Sequence, residues 1–353
     1  MLLTALVFII ILSILVFIHE LGHFTVARII GVKVEEFGFG LPPRIWGKKI
    51  KETVYSLNWL PIGGFVKLAG EDETSDSLKS LKSPKSLKSY FWARSKKERA
   101  AILLAGVTMN FFLAVGISTY LLTQGVAEVS GRLHIERVLP GSPAEKAGLR
   151  ERDILVDFKT PKELIDFVNE EKGHEVVLIV SRGGEKLEVA VTPRMEVPPG
   201  EGPLGVAISD LEIKTYPLNQ APLEAVKLNL TRARDMLVGI GMLLWRLVRL
   251  QPVGGDVAGP IGIAQVTGQA VRFGWKAVLE FMSILSLNLA VLNVLPIPAL
   301  DGGRLAFVFL EKILGRKVKP AFEHSTHQIG MIILFILIFL ISINDILRLA
   351  RGG

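Results

Sequence analysis

His19, Glu20 and His23 stand in the run His-Glu-Leu-Gly-His, directly after a stretch from Leu2 to Ile18 that has no charge and only Thr4 and Ser13 as polar residues. On a helix, positions i and i+4 share one face, about a turn apart. Two imidazoles placed there can bind one zinc ion. The glutamate between them can take a proton from water that zinc acidifies and pass it to a leaving amine. His-Glu-x-x-His also arises by chance in soluble helices, but the setting separates the readings. Ionisable groups inside an apolar segment of membrane length are costly and mark function. A satisfied core histidine would account for one of these residues, not for all three at this spacing.

A catalytic zinc takes three protein ligands and keeps one position open. The chain has no cysteine, so disulfides, thiolate-held metals and cysteine nucleophiles are excluded and the third ligand must be His, Asp or Glu. The candidates are His324, His327, Glu280, Asp256, Asp345 and Asp301. Asp301 stands apart. The run Asn-Val-Leu-Pro-Ile-Pro-Ala-Leu-Asp-Gly-Gly, 293–303, has two prolines that break a helix and two glycines that permit unusual backbone after the carboxylate. Irregular backbone at membrane depth is tolerated where it is buried in protein or lines a cavity. The bland reading of Pro-x-Pro is an ordinary helix stop. His324 and His327 fall at the membrane edge and read as interfacial.

The elements that must carry these groups follow from composition. Of 353 residues, 50% are hydrophobic and 8% aromatic, and mean hydropathy is +0.43. Several apolar segments approach the roughly 18–20 residues that cross a bilayer. The expected fold class is an α-helical polytopic membrane protein with four transmembrane helices, a β-hairpin element (membrane-associated, as the resemblance drawn below implies) and one external α+β domain. Residues 1–30 form the first span, which carries the zinc motif and reads as a retained helix, because no basic residue precedes it and no small-residue cleavage site follows. Residues 31–98 hold alternating strands read as a hairpin or meander, then a Ser/Lys-rich segment, 75–89, that is either a solvated linker or a membrane-surface contact. The second span is 99–124. Residues 127–195 are charged and mixed in structure, with a hairpin turning at Gly183-Gly184. Residues 196–275 are a Pro/Gly linker, an amphipathic helix from Pro222 read as interfacial because Arg246 and Arg249 interrupt its greasy end, and a Gly-rich connector. The third span, 276–303, ends in the Asp301 motif. A cytoplasmic loop, 304–325, leads to the last span, 326–350.

Charge orients these elements. The net charge of +7 reads as the Lys and Arg of cytoplasmic loops, with no nucleic-acid partner. With the N-terminus outside, 31–98 and the loop holding Lys312, Arg316, Lys317 and Lys319 both face the cytoplasm and both are positive. His23 then lies about 8 Å and His19 about 14 Å along the helix from Arg28, inside the inner leaflet. Four spans bring Asp301 to the same side as the two histidines. A fifth crossing in 222–249 would put it on the opposite side.

At this point the chain resembles the site-2 protease family of intramembrane zinc metalloproteases (peptidase M50), in its bacterial RseP-like branch, over nearly its whole length. His19-Glu20-x-x-His23 matches the zinc motif, and Asn293-x-x-Pro296-x-Pro298-x-Leu300-Asp301-Gly302-Gly303 matches the second motif in full. The resemblance implies His19, His23 and Asp301 as zinc ligands, Glu20 as base and Asn293 as a holder of the substrate backbone. Gly-Gly-Phe-Val-Lys-Leu-Ala-Gly-Glu looks like the family's membrane-associated β element, with Gly63, Gly64 and Phe65 toward substrate. An extended peptide can join such a strand edge by β-addition. Gly106 to Asn110 is similar to a Gly/Asn element of the second helix, and packing through a small residue and a polar contact would explain it equally. The external domain resembles a PDZ domain, best at Pro-Gly-Ser-Pro-Ala-Glu-Lys-Ala-Gly-Leu-Arg-Glu-Arg-Asp-Ile-Leu-Val, 140–156. The chain has room for one such domain where RseP proteins carry two, and the turn between strand and helix near Thr160 is trimmed. The domain is read as peptide-binding, as a size filter, or as a cap.

The expected activity is zinc-dependent hydrolysis of peptide bonds within or near transmembrane segments of single-span proteins in the lipid bilayer of the bacterial inner membrane. Anti-sigma factors or signal-peptide remnants are the substrates that the resemblance implies, in regulated intramembrane proteolysis. The rivals are a non-proteolytic metal-binding membrane protein and a PDZ scaffold with a degenerate core. Spans nearly free of further ionisable groups count against the first, and an intact Glu20 against the second.

Overall fold

Four helices among the described residues are long and apolar enough to cross a membrane, in the segments Leu2–Ile30, Lys96–Thr123, Trp275–Val294 and Phe322–Leu347. The structure is a computed structural model and describes residues 2–71, 89–249, 251, 259–318 and 320–350. The Ser/Lys-rich segment assigned to 75–89 lies outside the described residues except for Ser89, and so does Asp256. The chain divides into two compact units, one of Met1–Leu121 with Leu218–Gly353 and one of Leu122–Pro217.

In the first unit, α1 (Leu2–Ile30) is followed by β1 (Val34–Ile50) and β2 (Thr53–Leu68). The two strands fold back on themselves. Phe37 sits opposite both Val66 and Tyr55, so the segment 34–39 lies between 54–57 and 64–68, and 64–68 forms an edge. α2 (Lys96–Thr123) starts on a capping box. Glu98 N–H donates to Ser95 Oγ, and Ser95 N–H donates to Glu98 Oε2, which satisfies two N-terminal donors. α1 and α2 touch through backbone. A Cβ on Gly22 would stand 2.5 Å from the Ala105 carbonyl oxygen.

The Leu122–Pro217 unit holds β3 (Val126–Val138), α3 (Pro143–Lys146), β4 (Ile154–Leu155), α4 (Pro161–Glu170), β5 (Val176–Arg182), β6 (Glu185–Val191) and β7 (Val206–Lys214). The sheet order is β6-β5-β4-β3-β7. The β5–β6 hairpin turns at Gly183 and Gly184, both with positive φ, as two-residue hairpin loops require. Ser142 and Thr160 cap α3 and α4 by accepting Glu145 N–H and Glu163 N–H. Leu133, Ile135, Leu155, Leu164, Leu178 and Val180 form its core.

Back in the first unit, the remaining helices are α5 (Ala221–Val248), α6 (Pro260–Phe273), α7 (Trp275–Val294), α8 (Asp301–Leu314) and α9 (Pro320–Ala350). α5 is not among the four membrane-length apolar segments, and its Leu223, Leu230, Leu237 and Leu244 are exposed. Buried polar groups tie helices together where lipid supplies no hydrophobic drive. Ser283 Oγ donates to the Ala114 carbonyl, Ser286 Oγ to the Asn110 carbonyl and Asn229 Nδ2 to Ser118 Oγ. The buried Arg99–Glu311 ion pair fastens the start of α2 to α8.

Three stretches differ from the sequence reading. Within the linker assigned to 196–275, residues 206–214 form β7, paired antiparallel with β3. The alternation there is weak because the strand is only half buried. Part of the Gly-rich connector is α6, which begins with Pro260 at its first turn, where the missing N–H costs nothing. Most of the loop assigned to 304–325 is helical. α8 runs to Gly315, whose φ of 70° closes it.

Candidate metal centre

α1 places His19 and His23 one turn apart on its inner face, with residue exposures of 7% and 6%. Asp301 is brought to them from the N-terminus of α8. Its Oδ2 lies 3.0 Å from His19 Nε2 and 3.2 Å from His23 Nε2, and the two Nε2 atoms are 3.2 Å apart. Among the described residues this is the one cluster of three metal-ligating side chains with ligand atoms within 4.8 Å of one another.

The donor set fits zinc. Tetrahedral ligands at bonds of about 2.0–2.1 Å stand about 3.3 Å apart, close to the three separations seen. His23 Nδ1 lies 2.8 Å from the Ile102 carbonyl oxygen. A carbonyl only accepts, so Nδ1 carries a proton and Nε2 is the ring atom turned toward Asp301 and His19. Two ring nitrogens and a carboxylate oxygen converge at a range that a shared metal ion or a proton between them can hold.

The backbone before Asp301 explains its reach. α7 ends ahead of Pro296, and the chain loops back before α8 begins. A Cβ on Gly302 would stand 2.0 Å from the Leu295 carbonyl oxygen and one on Gly303 2.5 Å from that of Ile297. The loop therefore rests on the first turn of α8, and only glycine leaves it room. Ala299 has a φ of 81°, a conformation that costs a non-glycine residue about 1–3 kcal/mol. It is held by its N–H, which donates to His327 Nδ1 at 3.0 Å.

Glu20 points to β2, where its Oε2 accepts Val66 N–H at 3.1 Å. A cavity of about 290 Å³ opens here, lined by Glu20, His23, Phe65, Val66, Asp301 and His327 among others. The ion pair of Arg304 with Glu71 joins its wall. Gly63, Gly64 and Asn293 do not line this cavity, although Gly63 and Gly64 lie on β2 beside Phe65 and a Cβ on Gly64 would stand 3.9 Å from Glu20 Cγ. Asn293 is buried near the end of α7. Of the other ligand candidates, His327 lines this cavity, while three lie elsewhere. Glu280 pairs with Arg232, Asp345 accepts Gly262 N–H, and His324 contacts Gln328.

Sequence reasoning missed four participants. Val66 acts through its backbone, which no residue type reveals. Glu71 and Arg304 are 233 positions apart, with no local signal. His327 reads from sequence as interfacial, yet it holds the Ala299 loop; its spacing from the Pro-x-Pro run carried no hint of this.

The chain matches peptidase family M50 over residues 7–337 and belongs to that family. A Clostridium perfringens protein that carries a provisional zinc metalloprotease name is 33% identical over 344 residues, 95% of this chain and 96% of that one. The regulator of sigma-W protease RasP of Bacillus subtilis is 30% identical over 430 aligned residues, covering 98% of this chain and 99% of its own. Zinc metalloprotease RasP of Shouchella clausii is 30% identical with the same coverage. The activity is therefore that of a zinc metalloprotease, in a chain whose described residues include four helices of membrane-crossing length.

Proposed function

We propose that this chain cleaves peptide bonds within or near the transmembrane segments of single-span membrane proteins, with His19, His23 and Asp301 as zinc ligands and Glu20 as general base. One observation carries the reading. Three ligand atoms within 3.2 Å of one another sit on an apolar helix, next to a glutamate and the edge of a β element. Zinc, when bound, supplies Lewis acidity and lowers the pKa of water. Glu20 takes the proton of the attacking water and delivers it to the leaving amine. The edge segment 64–68 receives the unwound substrate by β-addition, and Phe65 packs against it, with Gly63 and Gly64 keeping the edge open. Asn293 holds the substrate backbone.

The proposed topology has four crossings, with the N-terminus and the Leu122–Pro217 unit outside the inner membrane and the metal centre toward the cytoplasm. α5 lies at the interface. The external unit is proposed to be a PDZ domain that takes in β7 as well as 127–195. Substrates of the anti-sigma-factor or signal-remnant kind fit this arrangement, supported by the B. subtilis relative's name.

The test is Glu20→Gln in purified full-length protein with a single-span test substrate. Zinc content stays at the wild-type level and cleavage falls about 10²–10⁴-fold. Cleavage that persists at the wild-type rate removes Glu20 from the role of base.

A further inference from the structure

α2 passes the two imidazoles with Ile102, Gly106 and Asn110 at intervals of four, and so on one face. Each meets the metal centre differently. The Ile102 carbonyl accepts His23 Nδ1–H at 2.8 Å. A mid-helix carbonyl is usually screened by the side chain four residues on. Here that residue is Gly106, and a Cβ there would stand 2.4 Å from His23 Nε2 and 2.6 Å from His19 Cε1. The Asn110 side-chain amide lies 3.3 Å from His19 Nδ1, and Asn110 is fully buried.

Amide nitrogen and oxygen are told apart by their partners. With Nδ2 toward the ring, Asn110 Oδ1 is left buried without a partner among the described residues. A neutral His19 that offers Nε2 to a metal carries its proton on Nδ1, and only an acceptor can face that proton. The amide therefore presents Oδ1 to His19. Its backbone is fixed in turn, since Ser286 Oγ on α7 donates to the Asn110 carbonyl at 2.8 Å.

We infer that this face of α2 is the outer sphere of the metal centre: Asn110 Oδ1 and the Ile102 carbonyl each lock one imidazole with Nε2 inward, and Gly106 supplies the space for both rings. Asn110 and Gly106 are positioning residues. The inference rests on the ligand set proposed above. It gives Asn110 a role that helix packing alone would not, because packing needs a polar contact but no acceptor at this atom.

The experiment measures zinc affinity of full-length protein in detergent by competition with a chelator, and the visible spectrum of the cobalt(II) form. Asn110→Leu, which keeps the volume and removes the acceptor, lowers zinc affinity 10–100-fold and alters the cobalt bands, while helix content by circular dichroism is unchanged. Asn110→Asp, which keeps an acceptor at the same atom, stays within about threefold of wild type and retains the bands. Gly106→Ala loses zinc more severely than Asn110→Leu. Wild-type affinity in Asn110→Leu, or an Asn110→Asp protein as weak as Asn110→Leu, overturns the inference. Should Asn110→Leu not fold, the Asn110→Asp result decides alone. His19→Ala is the control for the ligand set: if it binds zinc as wild type does, that set fails, whereas its loss of zinc beside an unaffected Asn110→Leu sinks only the outer-sphere role.

Discussion

Both units bury apolar side chains, but the membrane-helix unit differs from the Leu122–Pro217 unit in what it exposes and in how many polar groups it buries. In the latter, apolar side chains such as Leu133, Leu178 and Val180 are inside. Its buried charge, Asp153, is held by Arg182 Nε and Nη2 at 2.8 and 2.6 Å. In the former, large apolar residues such as Leu6, Phe112, Ile332 and Phe335 are exposed, while His19, His23, Asn110, Ser283, Ser286 and Asn293 are inside. With lipid around it, exposing Leu costs nothing, so the interior is where polar groups can afford to meet. A buried polar residue in the membrane unit therefore marks a helix contact or the site. In the other unit it marks a structural anchor.

Substitutions can break that contrast. The largest effect is expected from Asp301→Ala or His19→Ala. Bound zinc falls from one per chain to background and proteolysis with it, measured by metal analysis of the purified protein. Leu133→Ala comes next. It removes a fully buried side chain and destabilises the α+β unit by about 2–5 kcal/mol, seen as faster hydrogen exchange in β3 and β5. Zinc content does not change, and if it does, the division of labour is wrong.

Asp153→Asn is smaller, about 1–3 kcal/mol, and sharpens the contrast through pH. Burial pushes the Asp153 carboxyl up, but the Arg182 guanidinium and Arg150 N–H outweigh it and hold the group below its ordinary value. The stabilisation is thus complete above the unfolded carboxylate pKa of about 3.9 and is lost as pH falls through the lower folded value. Wild-type and Asp153→Asn proteins should differ by a constant amount from about pH 5 upward and converge in stronger acid; a gap that widens there refutes the assignment. Thr160→Ala, which removes the cap of α4, should cost about 1 kcal/mol in the same exchange measurement.

Much of the centre was legible in the sequence because its parts are local. His19, Glu20 and His23 need only helical spacing to converge. Asp301 announces itself through prolines and glycines whose steric need is plain once Gly302 and Gly303 are seen against the carbonyls of 295 and 297. The Gly183-Gly184 hairpin was readable for the same reason. What escaped depends on partners far along the chain. β7 is a strand because β3 offers it an edge, α8 is a helix where basic residues read as a loop, and Val66 meets Glu20 through an amide that every residue but proline possesses. His327 was assigned by its distance from the membrane edge, whereas its task is set by the Ala299 N–H.

His19 and Asp301 are 282 positions apart. At about 5–20 residues per second, a ribosome needs roughly 15–60 s to make the stretch between them. For that interval the nascent chain has both imidazoles but lacks Asp301, the third member of the cluster. Under the ligand set proposed above, zinc-dependent cleavage cannot begin before Asp301 has been made.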